Sequence, residues 1–289
     1  MSRVVDVLNR RLPADLAARA HAYAAGGIAT AAPRNAASVI LLRPADGPPP
    51  AVEVYTLRRV TTMAFASGMH VFPGGTVDPR DADAQAAWTG PPPQVWAALL
   101  GTDEALATSL VCAAVRETFE ESGVLLAGES PDVVVGDTTA DDWEVDRLAL
   151  VAHEIAFSEL LLRRGLVLRT DLLRPWARWI TPEFEPRRYD TWFFLAAMPT
   201  AQRTRDVGGE ADRVAWVRPG AAVEAYRRGT MAMLPPTIAT LSDLDETSSV
   251  ASALALAEQR SLAPVMPRPV LQADGGAYVV LPGEDGYDA

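Results

Sequence analysis

Three glutamates and one arginine lie close together in the segment from Arg116 to Val124, which reads Arg-Glu-Thr-Phe-Glu-Glu-Ser-Gly-Val. In a helix, successive residues are about 100° apart, so Glu117, Glu120 and Glu121 share one arc of about 100°. The opposite side would carry Val111, Val115, Thr118, Phe119 and Ser122. The sequence therefore predicts a helix that buries one face in a core and presents three carboxylates on the other.

This carboxylate face is unfavourable for an isolated helix. Like charges at these spacings cost a few tenths of a kcal/mol per pair, and the macrodipole disfavours anions in the last helical turn. A hard divalent cation such as Mg²⁺ or Mn²⁺ would offset both effects, because it prefers oxygen ligands. The alternative is a solvated acidic face on which Arg116 forms an ordinary surface ion pair.

The segment resembles the Nudix box, whose pattern is G-x5-E-x7-R-E-U-x-E-E-x-G-U, with U aliphatic. The resemblance implies an α/β/α sandwich and hydrolysis of a diphosphate linked to another moiety. It gives Glu117, Glu120 and Glu121 metal-binding or water-activating roles, and makes Arg116 the arginine that orients them. Thr118 and Thr108 depart from the pattern where it has an aliphatic residue and its first glutamate.

The glycine of the pattern is displaced in this chain. Thr102 occupies its expected place, and Gly75 in Phe72-Pro73-Gly74-Gly75 is the plausible equivalent, 41 residues before Arg116 rather than 14. An insertion between Asp78 and Gly101 accounts for the difference. By the resemblance, the Gly75 carbonyl joins the metal ligands, and Gly74 approaches the substrate closely.

A second resemblance concerns the substrate. Arg59, Gly68 and the Phe-Pro-Gly-Gly turn fit the signature that accompanies the Nudix box in coenzyme A diphosphatases, whereas Val60 and Ala64 depart from it. More broadly, the sequence from Ser38 to Leu241 resembles the insertion-bearing branch that includes the peroxisomal coenzyme A diphosphatases. Arg59 is therefore a candidate substrate-binding residue.

Other candidates lie beyond the carboxylate helix. Glu210 is a candidate general base or further ligand, with Glu183 and Glu185 as reserves, and an exposed loop glutamate is the alternative for Glu210. Arg187 and Arg188 would suit phosphate or form a plain surface pair. For Trp88 and Trp96, a lid over the substrate and packing of the insertion on the core both remain open.

The patterning predicts alternating strands and helices. Predicted strands are Ser38–Leu42, Val52–Arg58, Val124–Ala127, Trp176–Ile180, Thr191–Ala197 and Arg213–Val217, with Thr191–Ala197 central because it is apolar on both faces. Predicted helices are Val4–Ala25, Asp103–Ser122, Asp141–Arg164, Ala221–Arg228 and Thr237–Gln259. The fold class is α/β (α+β), a Nudix-type sandwich on a mixed sheet with helical insertions and C-terminal helices.

We predict three regions along the chain. Residues 1–37 form an N-terminal helical extension and residues 38–262 the Nudix domain, with insertions at about 78–103 and 129–170. Residues 263–289 form a tail in which Asp274-Gly275-Gly276, followed by Ala277–Leu281, predicts a hairpin or an added strand.

Composition limits the partners of this chain. Its 289 residues carry a net charge of −11, so nucleic acid and anionic membranes are not expected partners. The single cysteine, Cys112, excludes an intramolecular disulfide and is expected to be buried packing. We expect a cytoplasmic protein whose partner is a small-molecule diphosphate, with a homodimer as the candidate assembly.

The predicted function is metal-dependent hydrolysis of the diphosphate bond in a nucleoside diphosphate linked to another moiety, with coenzyme A or acyl-coenzyme A leading. ADP-ribose, a nucleotide sugar or a dinucleotide are alternative substrates. A catalytically inactive Nudix-fold nucleotide-binding or regulatory module is the rival from another class, and an acidic scaffold protein is a third.

Overall fold

A computed structural model of the chain describes residues 11–48, 52–60, 68–82, 87–205 and 211–288. Its helices are α1 Ala14–Ala24, α2 Pro93–Leu100, α3 Glu104–Ser122, α4 Asp141–Val151, α5 Phe157–Arg164, α6 Pro219–Arg227, α7 Pro235–Leu244 and α8 Val250–Ala257. Its strands are β1 Arg34–Pro44, β2 Val52–Arg59, β3 His70–Val71, β4 Gly74–Thr76, β5 Trp88–Thr89, β6 Ala127–Gly128, β7 Val167–Arg169, β8 Leu173–Ile180, β9 Tyr189–Ala197, β10 Ala211–Val217, β11 Arg268–Leu271 and β12 Ala277–Val280.

A mixed sheet forms the centre of the fold. Its strand order is β10-β2-β1-β9-β8, with β3 paired to β2 and β4 paired to β1. The β1–β9 pair is parallel and the other pairs are antiparallel. β9 lies between two neighbours, which confirms the central position predicted for this segment.

Helices cover both faces of the sheet. On one face, α2, α3 and α5 pack against side chains that include Val39, Leu41, Tyr55, Trp192 and Phe194. On the other face, α6, α7 and α8 pack against side chains that include Ile40, Leu42, Val54, Phe193 and Leu195. Because alternate residues of β1 and β9 enter opposite cores, each strand contains a continuous apolar run, Val39–Leu42 and Trp192–Ala197. The α/β/α sandwich is confirmed.

The carboxylate helix α3 has clear start and stop signals. The Asp103 side chain accepts a hydrogen bond from Leu106 N at 2.8 Å, and Gly123 ends the helix in the left-handed conformation. The side predicted to be apolar is buried, including Phe119 and Cys112. This burial fixes the rotation of α3, so its other side faces the glycine strand β4.

The predicted helix Asp141–Arg164 is wrong as a single element, because α4 ends at Val151 and α5 starts at Phe157. Similarly, Thr237–Gln259 is divided into α7 and α8. Ser249 begins α8 and forms a capping box with Ser252. This start signal is hard to recognise in the sequence, because the apolar periodicity continues across the break between the two helices.

The first insertion is more ordered than a loop. It contains a 3₁₀ helix at Pro79–Ala82 and the helix α2, which the prolines before it favour because proline suits the first helical turn. Trp96 is buried, and its indole N–H donates to Thr170 Oγ1 at 3.2 Å. Trp96 therefore packs the insertion onto the core and does not act as a lid.

The first described helix, α1, packs against the C-terminal strands. The predicted C-terminal hairpin is present as β11 and β12, and Phe184 and Ala277 share a small buried cluster with α1 residues Ala17 and Ala20.

The predicted strand Val124–Ala127 is reduced to β6, because Leu125 N bonds the Gln202 side chain instead of a neighbouring strand. Within the described ranges, no single helix is long and apolar enough to cross a membrane.

Candidate active site

Arg116 is the centre of a buried polar cluster. Its Nη1 donates to Glu117 Oε1 at 2.9 Å and to Glu120 Oε1 at 3.1 Å. Its Nη2 also donates to the Thr76 carbonyl at 3.1 Å, which ties α3 to β4. With 6% of its surface exposed, Arg116 is not part of a solvated surface pair. The alternative of an ordinary acidic face is therefore wrong.

Asp81 is a member of this cluster that the sequence analysis missed. Its carboxylate accepts from Arg116 Nε and Nη2, both at 2.9 Å, and the residue is 4% exposed. A buried guanidinium has five N–H donors in a fixed fork, which glutamates on its own helix cannot all reach. These unmatched donors could have indicated that Arg116 needs a further acceptor from elsewhere in the chain. The 3₁₀ helix of the insertion supplies that acceptor, the Asp81 carboxylate.

The glycine strand approaches the glutamates closely. Gly74 N donates to Glu121 Oε2 at 2.8 Å. A Cβ on Gly75 would collide with the Glu117 carboxylate, and one on Gly74 would lie 2.5 Å from the Ala37 carbonyl. Position 74 therefore requires glycine because the collision is with backbone, whereas a side chain at position 75 would displace the Glu117 carboxylate. The predicted proximity of Gly74 and Gly75 to the carboxylates is observed.

The cluster holds more negative than positive charge. One guanidinium faces the carboxylates of Asp81, Glu117 and Glu120. Burial raises the pKa of Glu117 to about 7 despite the opposing Arg116 charge, and burial also raises the pKa of Glu120. For Arg116, burial opposes the charged form, but the bond to Asp81 and the glutamate charges raise its pKa overall. The single guanidinium therefore does not balance the formal negative charge of the cluster.

A ready-made metal site is absent from the part of the chain that the structure describes. There, no group of three or more histidine, cysteine, aspartate or glutamate side chains is arranged to hold a metal ion. Instead, the Glu117 and Glu120 carboxylates accept hydrogen bonds from Arg116, and the Glu121 carboxylate accepts one from Gly74 N. Carboxylate donors and the excess negative charge nevertheless suit a hard divalent cation, which would have to compete with these hydrogen bonds.

A large cleft of about 1120 Å³ opens above the cluster. Glu117, Glu120 and Glu121 line it together with Gly74 and Gly75. Much of the remaining wall is apolar and includes Leu16, Trp179, Ile180, Phe184, Phe193, Met233 and Leu234. The carboxylates therefore lie in a cavity large enough for a nucleotide-sized ligand with an apolar extension.

Of the three arginines predicted to bind substrate, only one lines the cleft. Arg59, at the end of β2, lines the cleft. Arg187 is exposed and does not line it, whereas Arg188 is buried and donates to the Thr181 and Ala31 carbonyls at 3.0 and 2.8 Å. The prediction that Arg188 grips phosphate is therefore corrected, because its guanidinium is bonded to backbone carbonyls and does not line the cleft.

The acidic candidates outside α3 also differ. Glu210 lies outside the described residues, so its predicted role as base or ligand stays a prediction. Glu185 lines the cleft, and burial raises its pKa. Glu183 accepts a hydrogen bond from the Tyr23 hydroxyl at 2.8 Å and does not line the cleft.

A second polar cluster, of Asp78, Arg80, Arg147 and His153, lies beside the first, and all of its members except Arg80 line the cleft. Arg80 donates to Asp78 Oδ1 and Oδ2 at 3.1 and 2.8 Å, and its Nη2 lies 3.0 Å from His153 Nδ1. Arg147 is buried and donates from Nη1 to the Glu120 carbonyl at 2.7 Å. The sequence analysis missed these residues, since all four belong to the insertions and none adjoins the carboxylate helix in sequence.

Comparison with known proteins agrees with this fold and site. The family model described as the NUDT19 Nudix domain matches residues 102–244, which include the whole carboxylate helix. The crystal structure of a Nudix hydrolase from Alicyclobacillus acidocaldarius is 29% identical, with a TM-score of 0.65 over 80% of this chain and 97% of that one. The chain belongs to the Nudix hydrolase superfamily.

Within the superfamily, the chain falls in the NUDT19 branch. It is 29% identical to the acyl-coenzyme A diphosphatase NUDT19 of Gallus gallus, over 88% of this chain and 79% of that protein. It is 27% identical to the Homo sapiens protein of the same name, over 88% of this chain and 80% of that protein.

Proposed function

We propose that this protein is a metal-dependent diphosphatase that hydrolyses the diphosphate bond of coenzyme A or an acyl-coenzyme A. The observation that carries the proposal is the convergence of Glu117, Glu120 and Glu121 on one large cleft, directly against the Gly74–Gly75 strand. The names of the NUDT19 relatives supply the substrate class.

The residues that would hold Mg²⁺ or Mn²⁺ are Glu117, Glu120 and Glu121, with the Gly75 carbonyl. The bound cation would neutralise diphosphate charge and lower the pKa of a bound water. It would also supply the positive charge that the cluster lacks, so a protein of net charge −11 could accept an anionic substrate.

The chain's own residues have separable roles in this proposal. Arg116, fixed by Asp81, holds Glu117 and Glu120 at one point of the cleft. Glu120 is the proposed base that accepts a proton from the attacking water, because burial raises its pKa and proton transfer favours a base near the working pH. Glu210 remains the alternative base.

The shape of the cleft supports a substrate with both a nucleotide and an apolar arm. A volume of about 1120 Å³ exceeds what a diphosphate alone requires. The apolar side chains that line the cleft, among them Trp179, Phe184 and Phe193, would shield a pantetheine or acyl chain from water. ADP-ribose, nucleotide sugars and dinucleotides lack such an arm and are the alternatives to be tested.

The decisive experiment is hydrolysis of these substrates with Mg²⁺ or Mn²⁺ and identification of products by mass. Adenosine 3′,5′-bisphosphate with phosphopantetheine or its acyl ester is the expected pair. Glu121→Gln should abolish turnover, whereas Glu104→Gln should not, since Glu104 is an exposed residue at the far end of the same helix.

Two results would reject the proposal. If the Glu121→Gln variant hydrolysed substrate at the wild-type rate, the carboxylates would have no role in the mechanism. Binding of nucleotides without hydrolysis by the metal-loaded wild-type protein would favour the inactive binding module.

A further inference from the structure

His153 is the one described residue other than glycine that has a positive φ, at 56°. It follows α4, where its N–H bonds the Leu150 carbonyl and Glu154 N bonds the Ala149 carbonyl, both at 2.8 Å. This is the Schellman pattern, in which glycine normally takes the left-handed position. Among the described helices, α1, α5 and α6 end with the same pair of bonds and with glycine in that position, at Gly26, Gly165 and Gly229.

A histidine at this position costs conformational free energy that glycine would avoid. The ring is nevertheless held in place from the first insertion. Arg80 Nη1 donates to the His153 carbonyl at 3.2 Å, and Arg80 Nη2 lies 3.0 Å from the ring Nδ1. Observed backbone strain at the lip of a cleft is a reason to look for a functional side chain.

The hydrogen bonds around Arg80 determine which ring nitrogen can donate. Arginine only donates, so the nearer contact, Arg80 Nη2 at 3.0 Å, makes His153 Nδ1 an acceptor and leaves the ring proton on Nε2, whereas Asp78 Oδ2 lies farther from Nδ1, at 3.4 Å. The side chain is 66% exposed and lines the same cleft as Glu117 and Glu120. A ring with an N–H donor, held beside a cationic guanidinium, therefore lies at the cleft, where such a donor suits an anionic oxygen.

A continuous chain of bonds joins His153 to the carboxylate cluster. Asp78 N donates to Asp81 Oδ2 at 2.8 Å, while Asp78 binds Arg80 and Asp81 binds Arg116. The 3₁₀ turn thus positions Arg80 and Arg116 together, and through Arg80 it sets the location of His153 relative to the glutamates.

We propose that His153 contacts the substrate by donating a hydrogen bond from Nε2 to a phosphate oxygen. This inference rests on the proposed function and adds a contact made by the second insertion. In coenzyme A the phosphate oxygen belongs either to the diphosphate or to the 3′-phosphate of the ribose, and the two sources can be separated experimentally.

The test compares wild type, His153→Gly, His153→Ala and His153→Asn on coenzyme A and on 3′-dephospho-coenzyme A, with Mn²⁺. His153→Gly removes the ring and relieves the strain, so its melting temperature should equal or exceed that of wild type. Its KM should rise about 10- to 100-fold, the range for one hydrogen bond to a charged group, with a smaller change in kcat. His153→Asn tolerates positive φ and retains an N–H donor, so it should recover part of the loss.

The two substrates identify the contact. A KM increase confined to coenzyme A assigns the 3′-phosphate, and an equal increase for both assigns the diphosphate. Unchanged KM values in folded His153→Gly would overturn the inference, as would a defect in His153→Ala that His153→Gly lacks, because the residue would then act only through its backbone. Failure of the wild-type protein to hydrolyse either substrate would instead refute the proposed function itself.

Discussion

Replacing Glu117 by glutamine should make the stability of the metal-free protein less dependent on pH. Burial raises the pKa of Glu117 from 4.5 to about 7 in the folded protein. Between these values the folded state binds more protons than the unfolded state, so stability falls as pH rises and levels off above about 7. Glutamine cannot ionise and should escape this loss.

The magnitude follows from the gap between the two pKa values. From 4.5 to about 7, at about 1.4 kcal/mol per pKa unit, the cost of ionising Glu117 on folding is roughly 3 kcal/mol. The difference in unfolding free energy between Glu117→Gln and wild type should therefore be near zero at low pH and grow by about this amount at high pH. Glutamine Oε1 can still accept from Arg116, so the variant should retain the fold.

The assay is urea unfolding in the presence of EDTA at several pH values from below 5 to 8. Glu104→Gln provides the control, because it makes the same substitution at an exposed residue at the other end of the helix. Adding Mn²⁺ at pH 8 should stabilise wild type and leave Glu117→Gln almost unchanged, since a bound ligand stabilises only the state that binds it. A pH-independent difference between the two proteins would refute the view of Glu117 as a buried, under-compensated carboxylate.

Three further predictions concern the same cluster. Asp81→Ala should destabilise the protein by about 3–5 kcal/mol in urea unfolding, because it leaves the buried Arg116 guanidinium without its principal partner; a loss below about 1 kcal/mol, typical of an exposed pair, would contradict this. Gly75→Ala should abolish turnover and weaken the Mn²⁺-induced shift in melting temperature, since the added methyl group meets the Glu117 carboxylate; full activity would show that the strand can move aside. Glu121→Gln should lose turnover and keep a melting temperature near that of wild type, as a glutamine oxygen still accepts from Gly74 N; unfolding of this variant would instead indicate a structural role.

Much of the fold follows from local patterns in the sequence. Helical periodicity located α3, and Gly123 gave its end, because capping and amphipathicity involve neighbours in sequence. The strand that is apolar on both faces was correctly placed at the centre of the sheet. Local patterns failed at the breaks after Val151 and Leu244, where apolar residues recur on both sides of a helix end.

The position of the catalytic candidates on one helix face was likewise fixed by sequence, since Glu117, Glu120 and Glu121 are separated by three or four residues. Their surroundings were not. Asp81, the partner of Arg116, lies 35 residues from it in sequence, and Gly74, the partner of Glu121, lies 47 residues from it. His153 is held at the cleft by Arg80, which belongs to another insertion. Such contacts depend on how the whole chain closes around the sheet, so they were decided by tertiary structure: a buried charge must find its partners in space, and spacing along the chain does not reveal them.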